Sequence, residues 1–550
     1  KSRTDSDRRT VLIAGAAMAA AAAAPRALAQ APTPPAAAPA GLAAGGGSSK
    51  IFQVTEIATG KVQGIANGPV WEFRGIPYGA PTGGKNRFMP PQKPAAWKGV
   101  RECFAYTSVC PQTQADIRGE YGQLIMWDRQ VGGMGEDCLS LNVWTPNVDR
   151  SSKRPVFVSF HGGGFATGSG NAPGFDGKNL AYYADAVVVC VNHRLASFGY
   201  TNLVGAGAPD AFRYAGVAGV MDLVASLQWV RDNIESFGGD PSRVMIFGQS
   251  GGGAKTSTVL AMPPAKGLFH RAAVQSGSAL RLVTPEAGAA TAEKFLKQLG
   301  IGKANMGDLQ KVSWQQVLEA QTASGGNFSP VIGTDALPRH PFDPTAPPES
   351  ANVPVIVSTT LEDAALALTN FNLTEDGLRA LFDQRWPGKG KELVALYRRY
   401  DPGATPFLIQ AQAFTDSGAR RSAYAQAARK AALGGAPAYV YQWNWRTPAY
   451  DGQFGAVHGI DVSASFHSYR DGFFAGSTQG KKMADRLAST WAAFVRTGDP
   501  NNGHIPPWKP YSDGQRNVML FDNDTRQEVN PRAEIRAYWD ANPPAPGPRG

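Results

Sequence analysis

The segment VMIFGQSGG, from Val244 to Gly252, decides the fold of this 550-residue chain. Its first four residues form an apolar run typical of a buried strand, and small residues that can begin a helix follow it. Between them lies a G-x-S-x-G pattern centred on Ser250, whose glycines relieve crowding at a sharp turn and leave the hydroxyl exposed. The pattern also fits a flexible turn in a chain with 63 glycines. It predicts a nucleophile elbow only if other catalytic residues accompany it.

A second glycine-rich turn lies about ninety residues earlier. The apolar run 155–160 leads directly into His161-Gly162-Gly163-Gly164-Phe165. Successive glycines after a strand allow backbone N–H groups to point into a cavity, as a developing oxyanion requires. An ordinary strand-to-loop turn is the plainer interpretation, but the elbow downstream favours an oxyanion loop.

Strand and helix patterns alternate along the chain. Apolar residues recur at steps of three and four over 220–234 and 483–494, which predicts amphipathic helices. Runs rich in β-branched residues at 186–191, 353–357 and 438–442 predict further strands. This alternation predicts an α/β fold with a mostly parallel sheet covered on both faces. Ligands then bind outside the carboxyl ends of the strands.

A serine nucleophile needs a base and a carboxylate that orients the base. The chain has seven histidines. Where the nucleophile lies on an elbow of this kind, the acid and then the histidine follow the serine along the chain, which excludes the three histidines at 161, 193 and 270. Four candidates remain: His340, His458, His467 and His504.

Together these features resemble the type-B carboxylesterase/lipase family of the α/β-hydrolase fold, which includes the cholinesterases. The resemblance runs from about Val54 to Trp539 and implies one large domain with inserted helical segments. The matching segments, in chain order, are FRGIPY at 73–78, EDCLSLNV at 136–143, HGGGF at 161–165, VNHRL at 191–195, FGGDP at 237–241, QSGS at 275–278 and GAVHG at 455–459.

The resemblance implies a Ser250–His458–Asp363 triad, although the acid departs from the family pattern. His458 matches the family's histidine, with His467 as its competitor. The family usually shows a basic residue, Asp, Glu and Gly after the preceding strand, where this chain has Thr360-Leu361-Glu362-Asp363-Ala364. Aligning the strand favours Asp363 as the acid and leaves Glu362 as the alternative.

Other roles also follow only from the resemblance. Gly163, Gly164 and Gly251 would supply three oxyanion-hole N–H groups, although Gly251 replaces the usual alanine and Gln249 replaces the usual acidic residue. Ser276 matches a serine that helps to hold the acid, and it fits an ordinary turn residue almost equally well. Cys110 and Cys138 match the family's first disulfide, while Cys103 and Cys190 have no expected partner.

The implied function is carboxylic ester hydrolysis through an acyl-enzyme, acting on a small-molecule ester without a metal or organic cofactor. Amide or carbamate hydrolysis on the same triad is the nearer alternative, because pocket shape selects the leaving group. A non-catalytic, cholinesterase-like binding protein is the more distant one, and the intact serine, histidine and glycine loop argue against it. The oligomeric state is left open.

Composition is that of an ordinary globular protein, with 43% hydrophobic and 18% charged residues and a formal net charge of +10. No long basic run or nucleic-acid-binding motif is present, so we expect no nucleic-acid partner.

The first fifty residues are expected to lie outside the catalytic domain. Arg8-Arg9, the apolar run 11–24 and Ala27-Leu28-Ala29 predict a signal peptide over 1–29, of twin-arginine type. That run is too short to span a membrane. An Ala, Pro and Gly linker over 30–49 and one catalytic domain over 50–545 complete the predicted organisation. The mature protein would carry a charge of about +7, since 1–29 hold five basic and two acidic residues. Because of the predicted signal peptide, we expect an exported protein, periplasmic or secreted.

Overall fold

A thirteen-stranded sheet forms the framework of the protein. The structure is a computed structural model that describes residues 51–113, 131–470 and 472–543, all within one compact unit, Ser49–Gly550. The predicted signal peptide and the linker lie outside the described residues. The strands are β1 (Phe52–Ile57), β2 (Gly60–Asn67), β3 (Val70–Pro77), β4 (Val100–Glu102), β5 (Ser140–Thr145), β6 (Arg154–Phe160), β7 (Val187–Val191), β8 (Gly239–Gln249), β9 (Arg271–Gln275), β10 (Val355–Thr360), β11 (Ala438–Trp443), β12 (Asn517–Phe521) and β13 (Arg526–Val529).

The spatial order of the strands is β1-β2-β3-β5-β7-β6-β8-β9-β10-β11-β12-β13, with β4 paired to β2. The seven strands from β7 to β12 are parallel, whereas antiparallel strands form both edges. Parallel neighbours need crossover connections, which the helices supply. The prediction of a mostly parallel sheet with alternating helices is therefore confirmed.

Helices follow most of the parallel strands. They are α1 (Lys178–Tyr183), α2 (Ala196–Tyr200), α3 (Ala218–Asn233), α4 (Gly251–Val259), α5 (Pro285–Gln298), α6 (Trp314–Ser324), α7 (Glu375–Arg385), α8 (Gly390–Tyr400), α9 (Pro406–Ser417), α10 (Ala419–Ala432), α11 (Ile460–Ser465), α12 (Thr478–Thr497) and α13 (Ala533–Ala541). The helices predicted over 220–234 and 483–494 correspond to α3 and α12. None of the described helices combines the length and apolar character needed to cross a membrane.

The central strands are buried on both faces, which explains their continuous apolar runs. Side chains alternate across a strand, so Val156 and Val158 of β6 join one core layer while Phe157 joins the other. In β8, Ile246 and Phe247 divide in the same way. The sheet is thus held rigidly between two apolar layers. Its carboxyl-terminal edge, where β6, β8 and β10 end, carries the predicted site residues.

Candidate active site

Ser250 occupies the turn between β8 and α4. Its backbone adopts φ 59° and ψ −122°, a positive-φ conformation that is strained for a residue with a side chain. Two backbone hydrogen bonds hold it there: its N–H donates to the Gln275 carbonyl at 2.7 Å, and its carbonyl accepts from Ala254 at 3.0 Å. A Cβ on Gly248 or Gly252 would collide with the Phe160 carbonyl at the end of β6. The G-x-S-x-G pattern therefore reflects close packing of the elbow against the neighbouring strand.

The glycine loop lies against this elbow. Gly163 and Gly164 both have positive φ, 88° and 64°, and the Gly163 carbonyl closes the turn by accepting from Thr167 N–H at 3.0 Å. A Cβ on Gly251 would come within 2.5 Å of the Gly164 Cα and closer still to its backbone N and O. The backbones of Gly164 and Gly251 thus converge. Because Gly251 is the first residue of α4, no carbonyl one turn earlier is available to its N–H.

His458 lies in the loop that enters α11 and is 7% exposed. Its Nδ1 is hydrogen-bonded to Asp363 Oδ1. Its Nε2 is buried and has no hydrogen-bond partner in the described part of the chain. A histidine oriented through Nδ1, with Nε2 unbonded, has the arrangement required of a general base.

Asp363 lies three residues after the end of β10 and is also buried, at 6% exposure. Its second oxygen, Oδ2, accepts from Ser276 Oγ at 2.5 Å and from the Thr360 N–H at 3.1 Å. Burial raises the pKa of this carboxyl, but His458 and these hydrogen bonds outweigh burial, so the pKa lies below its usual value. The carboxylate is therefore ionised at neutral pH.

One short segment at the end of β9 links the nucleophile to the acid. Gln275 accepts from the Ser250 N–H, and the next residue, Ser276, donates to Asp363. Ser276 itself has φ 45° and donates its N–H to the Ser358 carbonyl of β10 at 2.9 Å. The structure thus gives Ser276 the contact that the resemblance implied. Three neighbouring strands fix Ser250 and Asp363 relative to each other.

Glu362, the alternative acid, forms no hydrogen bond with His458 in the described part of the chain. It is fully buried, and its Oε1 accepts from Arg446 at 2.6 Å and from Gln412 at 2.8 Å. Its Oε2 accepts from the backbone N–H of Ala456 at 2.8 Å, two residues before His458. The geometry therefore favours Asp363 as the group that orients His458. Glu362 instead binds the backbone of the loop that carries the histidine.

The competing histidines have other partners. His467 Nε2 bonds Asp485 of α12 at 2.8 Å, and its ring stacks on Tyr183 at 3.9 Å. His340 Nδ1 accepts from the Leu282 N–H at 3.1 Å. Among the described residues neither of these rings nor that of His504 is hydrogen-bonded to Asp363, so His458 is the candidate with the predicted arrangement.

The predicted disulfide is not present in the structure. All four cysteines are free thiols and all are buried. Cys110 and Cys138 are nevertheless neighbours: a hydrogen bond between the two thiols and burial raise the pKa of Cys138 well above its usual value. The two cysteines of the expected pair therefore lie side by side, while the disulfide between them stays a prediction.

Sequence reasoning missed a buried polar network behind the histidine. Asp461 of α11, three residues after His458, accepts through Oδ2 from Tyr441 at 2.7 Å and from Gln275 at 2.9 Å. Burial raises the pKa of Asp461. An acidic residue between Ile460 and Val462 was the available signal, since carboxylates are seldom fully buried without partners.

Comparison with known proteins shows the family of the chain. The profile of the carboxylesterase family matches residues 52–539. The para-nitrobenzyl esterase of Bacillus subtilis is 32% identical over 499 residues, covering 88% of this chain and 98% of that protein.

Two solved structures extend the likeness to the fold. The carboxylesterase EST55 of Geobacillus stearothermophilus is 31% identical with a TM-score of 0.75, covering 88% of this chain and 99% of that one. An esterase of Clostridium hathewayi, described as hydrolysing aliphatic aromatic polyesters, is 31% identical with a TM-score of 0.77 and coverages of 89% and 98%. The expected α/β-hydrolase fold is thereby confirmed, and the chain belongs to the carboxylesterase family of ester-hydrolysing enzymes.

Proposed function

We propose that the protein hydrolyses small carboxylic esters by two-step acyl transfer on a Ser250–His458–Asp363 triad. Ser250 Oγ attacks the ester carbonyl carbon while His458 Nε2 takes the hydroxyl proton. The carbonyl π electrons move onto oxygen, and the N–H groups of Gly163, Gly164 and Gly251 bind the resulting oxyanion. Collapse expels the alcohol, which receives the proton from His458. Water then attacks the acyl-enzyme by the same steps and releases the acid.

The observation that carries this proposal is the orientation of His458. Its Nδ1 is held by a buried carboxylate, and its Nε2 has no partner in the described residues. The low pKa of Asp363 supports the same assignment, because an ionised carboxylate stabilises the imidazolium that forms when Ser250 loses its proton. The convergence of Gly164 and Gly251 beside Ser250 supports the oxyanion hole.

The experiment is Ser250→Ala, with Ser278→Ala as a matched control. Ser278 belongs to the loop after β9, and its buried hydroxyl makes no hydrogen bond in the described part of the chain. Loss of the nucleophile should lower kcat by about 10⁴-fold or more and abolish labelling by a fluorophosphonate. The Ser278→Ala control should keep both the wild-type kcat and the fluorophosphonate labelling. A Ser250→Ala enzyme with more than about a tenth of wild-type activity would overturn the assignment.

Esters and amides with a common acyl group would separate the two hydrolytic functions. We expect turnover of the ester only. Faster turnover of the amide would assign the triad to amide hydrolysis instead.

We also propose that the protein is exported and that a Cys110–Cys138 disulfide forms in an oxidising compartment. The proximity of the two thiols supports the pairing. A bond across this loop would stabilise the fold by roughly 3.5 kcal/mol. Peptide mapping of protein from the periplasm or medium, without reduction, should show this bond. A bond from Cys103 to either partner would contradict the pairing.

A further inference from the structure

Lys255 is a fully buried lysine in α4, four residues after Gly251. Helical side chains lean towards the helix N-terminus, so its long side chain runs back towards the elbow. Its Nζ donates to the His161 carbonyl at 2.8 Å. His161 directly precedes the three glycines, so this amine bonds the first residue of the oxyanion loop.

The environment of Lys255 is unfavourable for a charge. No carboxylate forms an ion pair with it among the described residues, and burial lowers its pKa well below the ordinary value. An unpaired buried amine costs free energy that an apolar side chain of the same length would avoid. The hydrogen bond to His161 is the contact that offsets this cost.

The ring of His161 adds a second tether to the same loop. Its Nδ1 lies 2.8 Å from the Gly162 carbonyl, a contact in which the ring nitrogen must carry the proton. A protonated Nδ1 cannot accept from Lys255 Nζ, 3.5 Å away, which leaves the main-chain carbonyl of His161 as the acceptor. The lysine and the ring thus hold two successive carbonyls, at residues 161 and 162.

These tethers matter because glycines have no side chains with which to fix a loop. Gly163 and Gly164 both require positive φ, and displacing their N–H groups by about 1 Å would forfeit much of the oxyanion stabilisation. We propose that Lys255 is a positioning residue that holds the oxyanion loop through the His161 carbonyl and keeps the Gly163 and Gly164 N–H groups aimed at the developing charge. This inference rests on the proposed function, since it matters only if those groups bind the oxyanion.

The test is Lys255→Met, which keeps an unbranched apolar chain out to the ε position and removes the donor. We expect kcat and kcat/KM for an ester to fall together by about 10-fold to 100-fold, with KM changed little, because the lost interaction acts in the transition state. The affinity for a trifluoromethyl ketone should fall by a similar factor. Ser250 adds to this inhibitor to form a hemiketal whose oxygen occupies the oxyanion position, whereas binding of the product acid should change little.

Lys430 provides a matched control. It is another fully buried lysine, whose Nζ donates to the carbonyls of Ala351 at 3.1 Å and Ala436 at 2.8 Å, and neither belongs to the proposed site. Lys430→Met should lower the melting temperature to a similar extent but leave kcat and ketone affinity within about twofold. If Lys255→Met also leaves both within twofold, its role is structural only and the inference is wrong.

A second variant at the same position tests the inference if Lys255→Met does not fold. Lys255→Gln keeps an N–H donor on a chain one bond shorter, so it should show a smaller loss of the same kind. Because its donor is retained, unchanged kcat here beside a loss in Lys255→Met supports the inference, whereas a loss of kcat without a matching loss of ketone affinity would overturn it. Failure of the proposed function has a different signature, because Ser250→Ala would then retain activity whatever the Lys255 variants show.

Discussion

Replacing Asp363 by Asn changes one atom of the buried carboxylate, and the surrounding hydrogen bonds determine how the new amide is oriented. Asp363 Oδ2 accepts from Ser276 Oγ and from the Thr360 N–H, and the Thr360 N–H can only donate. The amide oxygen must therefore stay on that side, which turns the NH₂ group towards His458 Nδ1. Nδ1 then has to accept, the proton moves to Nε2, and the ring can no longer take the proton of Ser250.

The expected loss is about 10⁴-fold in kcat, as for the equivalent change in the serine-protease example, or roughly 5 kcal/mol of transition-state stabilisation. Glu362→Gln is the paired variant. Both oxygens of Glu362 accept hydrogen bonds. The NH₂ group of a glutamine there would face one of these N–H donors, which should cost about 2–3 kcal/mol of stability. Its kcat should fall by no more than about tenfold, because Glu362 does not touch His458.

The assay is steady-state hydrolysis of a chromogenic ester by both variants, together with their melting temperatures. We expect a catalytic defect with little loss of stability for Asp363→Asn and the reverse for Glu362→Gln. If Glu362→Gln has the larger effect on kcat in a folded protein, the catalytic acid is Glu362 and the reasoning from the hydrogen-bond pattern is refuted.

Three further predictions concern single side chains. Gly251→Ala should lower kcat/KM by about tenfold or more, because the added methyl would displace the backbone of Gly164; unchanged kinetics would show that the loop can retreat freely. His467→Gln should leave kcat within about twofold, since the ring bonds Asp485 instead of the site, and a loss resembling that of His458→Gln would reverse this assignment. Burial lowers the pKa of Lys430 from about 10.5 to about 8, so between these pH values the unfolded state holds a proton that the folded state has released. The melting temperature of the wild type should therefore rise relative to Lys430→Met from pH 8 to pH 10, and a constant difference would contradict the shift.

The parts of the site that sequence could predict are those set by backbone conformation. A serine at positive φ between a strand and a helix needs glycines beside it, so the pattern around Ser250, taken together with the glycine loop upstream, indicated the elbow. The glycine run after β6 was equally informative. The pairing of His458 with Asp363 depended on family resemblance, since nothing local relates residues 95 positions apart.

The features of the site that sequence could not predict depend on contacts between distant segments. Glu362 and Asp363 are adjacent acidic residues in the sequence, and only the fold shows that one binds Arg446 and the Ala456 amide while the other binds the histidine. Lys255 resembles a solvent-exposed helical lysine until α4 is packed against the glycine loop. The state of Cys110 and Cys138 depends on the redox environment, which neither the spacing nor the fold determines.

The attachment of Ser250 and Asp363 to the ends of β8 and β10, on either side of β9, confines the control of their spacing to a small part of the chain. The main-chain bonds among β8, β9 and β10 set the spacing of the reacting groups, whereas the long excursions at 276–354 and 361–437 leave the sheet after β9 and β10 and return to it. Most of each excursion lies beyond the residues that hold the triad. Loop exchange or directed evolution confined to 285–340 and 370–400 should therefore leave unchanged the distances on which turnover depends. These segments could then change in sequence while other parts of the same polypeptide preserve the catalytic geometry.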